Sequence, residues 1–407
     1  MLRRRLVAVG IAVAVVALVG CADLPRDDAF YRQQPALRGE ARPGDVLSAR
    51  EARFTLDPTT LNPRPGVRSW QLLYQSTDAS GSANVVSGTV LVPTAPWSGP
   101  GPRPLVTYGV GTRGVGDACA PSKTLSTGTD YEGGVIDDAL QRGWAVAVSD
   151  MPGLGTPGDH TYEVGREQGT AVLDIARAAE RLPGTGLDRS TPVGIWGYSQ
   201  GGSSAGWAAE LAATYAPELQ VKGTAAGGVP ADLRVVAANL DGNFFFSLLG
   251  LAAIGYDAAY PDLDLAKYLN ADGRNMVEQN RQFCIVSAAG LVQFLSLSGH
   301  HVHDYFTSVN PLTTPEWIRR LDENRLGSNP PSAPVLLQHA LADEVIPRSQ
   351  ALTLRKEWCD RGANVTWGDL FGEHALGIVF SIQPSIDFLA DRFAGRPIAG
   401  NCGAPVA

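Results

Sequence analysis

The amino-acid sequence predicts an α/β fold in which a mostly parallel central sheet carries an inserted helical cap. Short apolar runs recur along the chain, and they are typical of strands buried on both faces of a parallel sheet. Residues 164–182 have apolar positions at helical spacing, as a crossover helix between parallel strands requires. Residues 232–315 change to longer apolar blocks, which predict the cap. Alternating strands and helices around such an insertion indicate one α/β core interrupted by a second element.

The predicted strands begin with a β-hairpin that opens the sheet. Its alternating segments are residues 70–74 and 85–92, with a turn at 78–83, and no strand is predicted before residue 70. Six further strands are predicted at residues 104–108, 144–148, 193–196, 221–225, 335–338 and 364–367.

The predicted cap lies between the strands at residues 221–225 and 335–338. Its apolar blocks, 244–254 and 283–297, are too short to span a bilayer. They predict either the lining of an acyl-binding tunnel or the cap's own core. The resulting domain prediction comprises a signal peptide, a spacer arm, a first core part, the cap and a second core part, at residues 1–20, 21–45, 46–231, 232–315 and 316–407.

The N-terminus predicts export. Three arginines at positions 3–5 precede an apolar stretch over residues 6–19, and the sequence Leu-Val-Gly-Cys ends at Cys21. This order is similar to the lipobox of bacterial lipoproteins, in which the cysteine becomes the lipidated N-terminus. An ordinary signal peptide or an N-terminal membrane helix are the alternatives. The favoured prediction is an exported cell-envelope lipoprotein that associates with the membrane through Cys21.

Charge and cysteine content narrow the function classes. The chain has a net charge of −8, and the predicted signal peptide contains only basic charges, so the mature protein is still more acidic. Nucleic acid is therefore not an expected partner. Besides Cys21, four cysteines remain, which in an exported chain predicts two disulfides, with free thiols as the alternative. The favoured pairing is Cys119–Cys284 and Cys359–Cys402, because the second bond would staple the tail.

A strand-like segment at residues 193–196 runs directly into Gly197-Tyr198-Ser199-Gln200-Gly201, and residues 203–214 have a helical pattern. Strand, G-x-S-x-G and helix together form a nucleophile elbow, the turn that exposes a serine hydroxyl above an α/β-hydrolase sheet. The flanking glycines are needed because a side chain there would collide with the neighbouring backbone. The motif predicts Ser199 as a nucleophile and the α/β-hydrolase fold.

A serine nucleophile needs a histidine base and a carboxylate that orients it, in the chain order Ser, Asp or Glu, His. His374 lies beyond the last predicted strand in a loop with glycines on both sides. Asp343 follows the strand at residues 335–338, where the acid of such a triad belongs, and Glu344 is its neighbouring rival. The sequence therefore predicts Ser199, Asp343 and His374 as the catalytic residues.

The other histidines have simpler interpretations. His300, His301 and His303 lie close to Asp304, but their spacing does not match a helical metal pair or a finger motif. A solvated cap loop is the favoured interpretation, and no metal or cofactor is predicted. His160 lies in a glycine-rich loop and is expected to be structural or to line the pocket.

The oxyanion of an acyl-transfer transition state requires fixed N–H donors. One predicted donor is the backbone amide of Gln200, and the second is expected from the loop after the strand at residues 104–108, with Gly111 and Thr112 as candidates. Arg113 is expected to hold this loop, with substrate binding as the alternative.

Several motifs in order resemble the secretory lipase family, which includes fungal lipase A-type enzymes and actinobacterial exported lipases. The matching stretches are residues 109–122, 143–158, 197–202, 226–232 and the loops that contain Asp343 and His374. The likeness covers roughly residues 40–403. It implies triacylglycerol lipase or carboxylesterase activity on an ester or lipid substrate, a lid-like cap, and the same three catalytic residues.

Three other functions remain as alternatives to a serine ester hydrolase. A serine peptidase and an acyltransferase share the triad, and a surface lipoprotein could retain the fold without catalysis. The apolar cap disfavours a peptidase, which usually needs a charged anchor, and retention of all three triad residues disfavours a non-catalytic protein. The sequence makes no prediction of the oligomeric state.

Overall fold

The computed structural model describes residues 28–32, 35, 37, 41–282 and 284–405. The predicted signal peptide and the lipidation site Cys21 lie outside the described residues. Phe283, the first residue of the second apolar block, also lies outside them.

Nine strands of the described chain form one sheet. They are β1 Val46–Ala52, β2 Val67–Thr77, β3 Ala83–Pro93, β4 Leu105–Gly109, β5 Ala145–Ser149, β6 Pro192–Tyr198, β7 Gln220–Gly227, β8 Val335–Ala340 and β9 Val365–Leu370. Their spatial order is β1-β2-β3-β5-β4-β6-β7-β8-β9. The pairs β1–β2, β2–β3 and β3–β5 are antiparallel. The other five neighbouring pairs, from β5–β4 to β8–β9, are parallel. The predicted mostly parallel sheet is thereby confirmed.

All eight predicted strands are present, but the sequence did not predict β1. This strand pairs antiparallel with β2 at the edge of the sheet. Its residues are half-buried or exposed, and its sequence, Val-Leu-Ser-Ala-Arg-Glu-Ala, lacks a continuous apolar run. An edge strand of this kind depends on backbone pairing with a distant partner, which leaves little local pattern to detect.

Twelve α-helices occur in the described ranges. They are α1 Ala29–Arg32, α2 Pro121–Thr127, α3 Gly133–Gln141, α4 Gly165–Arg181, α5 Gln200–Tyr215, α6 Leu233–Leu240, α7 Ser247–Ala259, α8 Ala271–Asn280, α9 Ala288–Leu297, α10 Pro315–Glu323, α11 Arg348–Asp360 and α12 His374–Phe393. Side chains of α4, α5 and α11 share one apolar core with the sheet. Side chains of α3 and α12 pack in another. The sheet therefore lies between two helical layers.

The cap is the chain between β7 and β8, and it contains α6 to α10. Its side chains form a separate apolar cluster that includes Phe246, Tyr256 and Trp317. Trp317 belongs to α10, so the cluster continues past residue 315, where the sequence placed the end of the cap. No helix in the described ranges has the length and apolar character needed to cross a bilayer.

Two disulfides join distant parts of the chain. Cys119 is bonded to Cys284, and Cys359 is bonded to Cys402, which are the two favoured pairings. The first bond connects the loop after β4 to the cap. Next to it, the Ile285 amide donates to the Arg113 carbonyl at 2.9 Å. One end of the cap is therefore fixed to the core beside the predicted oxyanion loop.

Candidate active site

Ser199 stands at a sharp turn between β6 and α5. Its backbone has φ 60° and ψ −124°, a left-handed conformation that side-chain-bearing residues rarely adopt. A Cβ at Gly197 would lie 2.2 Å from the Gly201 carbonyl oxygen, and one at Gly201 would lie 2.0 Å from the Gly109 carbonyl oxygen. Both positions therefore require glycine. The turn is held from β7 by a hydrogen bond from the Ser199 amide to the Gly227 carbonyl, at 3.0 Å.

Ser199, His374 and Asp343 form a continuous hydrogen-bonded chain. The Ser199 Oγ lies 2.9 Å from His374 Nε2, and His374 Nδ1 lies 2.8 Å from Asp343 Oδ2. Asp343 is fully buried and also accepts the amides of Val345 and Ile346. An acceptor at Nδ1 fixes the tautomer in which Nε2 is free to take the serine proton.

Each of these side chains is placed by the end of a secondary-structure element. Asp343 follows β8, and His374 is the first residue of α12, which Glu373 caps by accepting the amides of Ala375 and Leu376. The predicted rival acid has another role, because Glu344 Oε2 accepts the backbone amide of His374 at 3.1 Å. Asp343 orients the ring, whereas Glu344 anchors the backbone.

The carboxylates around His374 determine its charge. Burial lowers the pKa of His374, but Asp343, Glu344 and Glu373 outweigh burial, so the pKa is raised overall. Burial likewise raises the pKa of the Asp343 carboxyl, but the charge and hydrogen bond of His374 lower it overall. The pair therefore favours an ionised carboxylate beside a basic imidazole.

One of the two candidate oxyanion donors in the loop after β4 already donates its N–H to another residue. The Gly111 amide donates to Glu132 Oε2 at 2.9 Å, so this N–H is not free to bind an oxyanion, and this candidate is corrected. The Thr112 amide makes no hydrogen bond with the described residues. Gln200 begins α5, where amides lack helical partners. The available donor pair is thus Gln200 and Thr112.

Buried charges hold the loop that contains Gly111 and Thr112. Arg113 is buried and pairs with Asp130 at 2.8 Å and with Glu132 at 2.7 Å. Its guanidinium also stacks on the Tyr131 ring, 3.9 Å from the centroid. Arg113 therefore supports the loop, as the favoured interpretation predicted, because its guanidinium is already engaged by Asp130 and Glu132.

Gln200 has a support of its own in the core. Its side-chain Nε2 lies 3.0 Å from Nε2 of the buried His160, whose Nδ1 lies 2.8 Å from the Pro152 carbonyl. Burial lowers the pKa of His160 to about 4, so the ring is neutral, donating from Nδ1 and accepting at Nε2. His160 is structural, and it fixes the residue whose amide faces the nucleophile.

An apolar cavity extends from Ser199 into the cap. It encloses about 950 Å³ including its open mouth, and the cap, chiefly through α6 and α7, contributes most of its lining. Leu233, Leu240 and Phe246 are typical of its apolar wall. The cap's apolar side chains therefore form both its own core and a cavity at the predicted nucleophile.

Comparison with known proteins identifies the family. The family model described as secretory lipase matches residues 119–401. The chain belongs to the secretory lipase family. This lipase-family chain is 34% identical over 388 residues to a protein of Mycobacterium tuberculosis named probable inactive lipase, covering 92% of this chain and 84% of that protein. It is 30% identical over 401 residues to lipase A of Moesziomyces aphidis, covering 94% and 83%.

A solved structure shows the same fold. The X-ray structure of Candida antarctica lipase A matches with a TM-score of 0.82 and 28% identity, covering 95% of this chain and 90% of that one. The predicted resemblance and the α/β-hydrolase fold are therefore confirmed. Family membership and the two disulfides indicate that this secretory lipase is exported.

The remaining histidines of this family member lie away from the serine. His300 Nδ1 is 2.7 Å from the Tyr305 hydroxyl, His301 Nδ1 is 3.3 Å from Asp241, and His303 is exposed. His339 is buried below Asp343 and donates from Nε2 to the Ile346 carbonyl at 2.9 Å. Within the described ranges, no three His, Cys, Asp or Glu side chains form a group suited to a metal.

The sequence did not predict two residues of the site, Glu132 and Glu163. Glu132, which holds the Gly111 amide, lies in a short acidic segment opposite Arg113, and that charge complementarity is the only local signal. Glu163 lines the cavity beside Ser199 and is 4% exposed. It lies two residues before α4, where polar residues are common, so no local pattern distinguishes it.

Proposed function

We propose that the chain hydrolyses carboxylic esters through nucleophilic attack by Ser199, with His374 as base and Asp343 as the orienting acid. The observation that carries the proposal is the hydrogen-bonded chain from Ser199 Oγ through His374 to Asp343, with distances of 2.9 and 2.8 Å. It begins at a serine whose strained backbone projects the hydroxyl from the elbow. Such a constellation is recognised by geometry and roles.

In the proposed first step, Ser199 Oγ attacks the ester carbonyl while its proton passes to His374 Nε2. The imidazolium that forms is stabilised by Asp343, which holds the other ring nitrogen. The tetrahedral oxyanion accepts hydrogen bonds from the Gln200 and Thr112 amides. Collapse expels the alcohol, which takes its proton from His374 Nε2, and leaves an acyl group on Ser199.

In the second step, water gives a proton to His374 Nε2 and attacks the acyl carbon. The same two amides stabilise the second oxyanion, and Ser199 regains its proton as the acid departs. All proton transfers use one imidazole nitrogen, so the fixed tautomer serves both half-reactions. The scheme uses three side chains, two backbone amides, the ester and water.

The cavity supports an ester with an apolar chain as the substrate. Its apolar lining favours burial of acyl or alkyl groups by the hydrophobic effect, at about 0.8 kcal/mol per methylene. Triacylglycerol lipase and carboxylesterase activity are both compatible with this lining. A peptide substrate is disfavoured, because Glu163 is the one acidic or basic side chain among the described lining residues, and burial raises its pKa to about 8, so it offers no charge to a chain terminus at neutral pH.

Activity requires a direct test, since one relative is named a probable inactive lipase. We propose that this chain is active, because nucleophile, base and acid are all present and hydrogen-bonded.

We also propose attachment to the cell envelope through a lipid on Cys21. Mass spectrometry of the exported protein tests the attachment: a diacylated N-terminal Cys21 supports it, and an unmodified N-terminus contradicts it.

The catalytic proposal is tested with the purified protein and three single-residue variants. Ser199→Ala and His374→Ala should lose hydrolysis of p-nitrophenyl esters, while His303→Ala, an exposed cap histidine, should retain it. A fluorophosphonate probe should label Ser199 in the unchanged protein. Hydrolysis that is equally fast in Ser199→Ala would refute the proposal, and faster cleavage of aminoacyl anilides than of esters would favour the peptidase alternative. Emulsified triglyceride and a series of acyl lengths then separate lipase from esterase.

A further inference from the structure

Three residues that line this otherwise apolar cavity each carry a buried polar atom without a hydrogen-bond partner. The three atoms are Glu163 Oε2, the Tyr256 hydroxyl and Trp317 Nε1, and none forms a hydrogen bond with a described residue. All three residues line the cavity that contains Ser199, and they are 4%, 1% and 3% exposed, respectively. Buried polar groups are usually paired, so three unpaired atoms in one cavity require an explanation.

Glu163 is held in an unfavourable backbone conformation. Its φ of 59° lies in the left-handed region, which residues with large side chains rarely adopt. Its carboxyl lies beside the Ser203 hydroxyl on α5. The Ser203 amide donates to the Ser199 carbonyl, so this carboxyl lies about one helical turn, roughly 5.4 Å, from the nucleophile. Strained residues of this kind concentrate at ligand sites.

The other two atoms are placed by tight packing of the cap. A Cβ at Gly255 would lie 2.4 Å from the backbone of Tyr162, so α7 contacts the chain directly before Glu163. The next residue on α7, Tyr256, stacks on Trp317 with 6.4 Å between ring centroids. Tyr305 lines the same cavity, but its hydroxyl is bound to His300 at 2.7 Å. The unpaired atoms thus belong to these three residues, whereas the Tyr305 hydroxyl in the same cavity is already satisfied.

The chemistry of the three groups defines the ligand. Burial raises the pKa of Glu163 to about 8, so its carboxyl carries a proton at neutral pH and can both donate and accept. An indole N–H only donates, and a phenol donates or accepts. A neutral hydroxyl group fits this set, because it can accept from Trp317 and Tyr256 and donate its own proton to the Glu163 carboxyl. A cationic group would offer no acceptor to Trp317 or Tyr256.

We propose that Glu163, Tyr256 and Trp317 form a polar subsite that binds an uncharged oxygen substituent, such as a hydroxyl group, on the chain of the ester that enters the cavity. The subsite makes the enzyme selective for oxygenated over plain chains of the same length. Its place near Ser199 puts the preferred substituent close to the ester rather than at the far end. The inference rests on the proposed function, because the cavity is read as the substrate site.

Selectivity is tested by the ratio of kcat/KM for hydroxylated and plain substrates. One series uses p-nitrophenyl dodecanoate and its monohydroxy isomers, and a second uses acetate esters of dodecanol and its monohydroxylated analogues, which separates acyl from alcohol recognition. At one hydroxyl position the unchanged enzyme should prefer the hydroxylated ester about tenfold, the effect of one well-placed hydrogen bond. Glu163→Leu, Tyr256→Phe and Trp317→Phe should reduce this ratio, and Glu163→Gln should keep part of it.

Tyr305→Phe is the matched control, because its hydroxyl is already bound within the protein and the ratio should not change. A ratio near one at every position in both series, or an equal fall in Tyr305→Phe and Tyr256→Phe, would overturn the subsite. In either case, hydrolysis of plain esters that depends on Ser199 would leave the proposed function intact. Faster hydrolysis of acylcholines than of hydroxylated esters would also overturn the subsite, in favour of a cation site.

If the purified protein shows no hydrolysis, a binding measurement still tests the polar subsite independently of the proposed ester hydrolysis. The Ser199→Ala variant is titrated calorimetrically with methyl dodecanoate and its monohydroxy isomers. About tenfold tighter binding of one isomer, lost when Glu163→Leu is added, supports the subsite whatever the activity. Equal binding of plain and hydroxylated esters overturns it.

Discussion

Replacing Glu163 by glutamine is expected to stabilise the protein, and increasingly so as the pH rises. A glutamate has an ordinary pKa of 4.5, and burial raises the pKa of Glu163 to about 8. Below pH 4.5 the carboxyl is protonated in both the folded and unfolded states, so its titration does not affect the free energy of unfolding. Between pH 4.5 and pH 8 the unfolded chain loses this proton while the folded protein keeps it, so stability falls with pH.

The size of the effect follows from that interval. Each pH unit is worth about 1.4 kcal/mol, so an interval of 3.5 units, from 4.5 to about 8, destabilises the folded protein by about 5 kcal/mol at pH 8. Glutamine has the same shape and no proton to lose. The free energy of unfolding of Glu163→Gln, relative to the unchanged protein, should therefore rise by several kcal/mol from pH 4.5 to pH 8 and remain constant above pH 8.

Urea unfolding at half-unit pH steps, with both disulfides intact, measures this difference. Glu278→Gln on the cap serves as a control for the loss of one carboxyl from an exposed position. If the curves of Glu163→Gln and the unchanged protein remain parallel from pH 5 to pH 8, Glu163 is ionised in the folded protein, and the reasoning about its burial is refuted.

Three further predictions concern the catalytic machinery. Glu344→Gln should lower the pKa of His374 and move the acidic limb of the kcat/KM profile to lower pH, because neutral imidazole is the base. Replacing Cys119 and Cys284 together by alanine opens a loop of 165 residues, which should cost about 5 kcal/mol in urea unfolding with the disulfide-intact protein as reference. Arg113→Met leaves buried carboxylates unpaired, so we expect a loss of about 3–5 kcal/mol in the same assay. It should also lower kcat by roughly 10- to 100-fold as the oxyanion loop shifts, and unchanged steady-state kinetics would contradict this role.

The parts of the site that the sequence predicted depend on local backbone chemistry. The elbow requires glycines around Ser199, and Asp343 and His374 follow the ends of consecutive parallel strands, so a strand pattern and a motif are enough to locate them. The structure places these three side chains within hydrogen-bonding distance. Their catalytic roles remain predictions for the assays above.

The parts that were missed depend on contacts between distant segments. The edge strand β1 is defined by its pairing with β2. Gly111 and Thr112 are adjacent and equally plausible as oxyanion donors in the sequence, and only the contact with Glu132, on another segment, distinguishes them. The strand and motif patterns contain no information on which amide a distant carboxylate will occupy.

Glu163 combines two unfavourable features at one position, and packing does not account for either of them. A left-handed conformation costs a side-chain-bearing residue about 1–3 kcal/mol, and a buried carboxyl with one oxygen unpaired destabilises the fold further. A glycine would relieve the first cost, and an apolar side chain would relieve the second. Stability alone would therefore favour a glycine or an apolar residue here. Since the carboxyl lies in the cavity beside Ser199, together with two other unpaired polar atoms, a ligand that satisfies all three is the explanation that accounts for their common location.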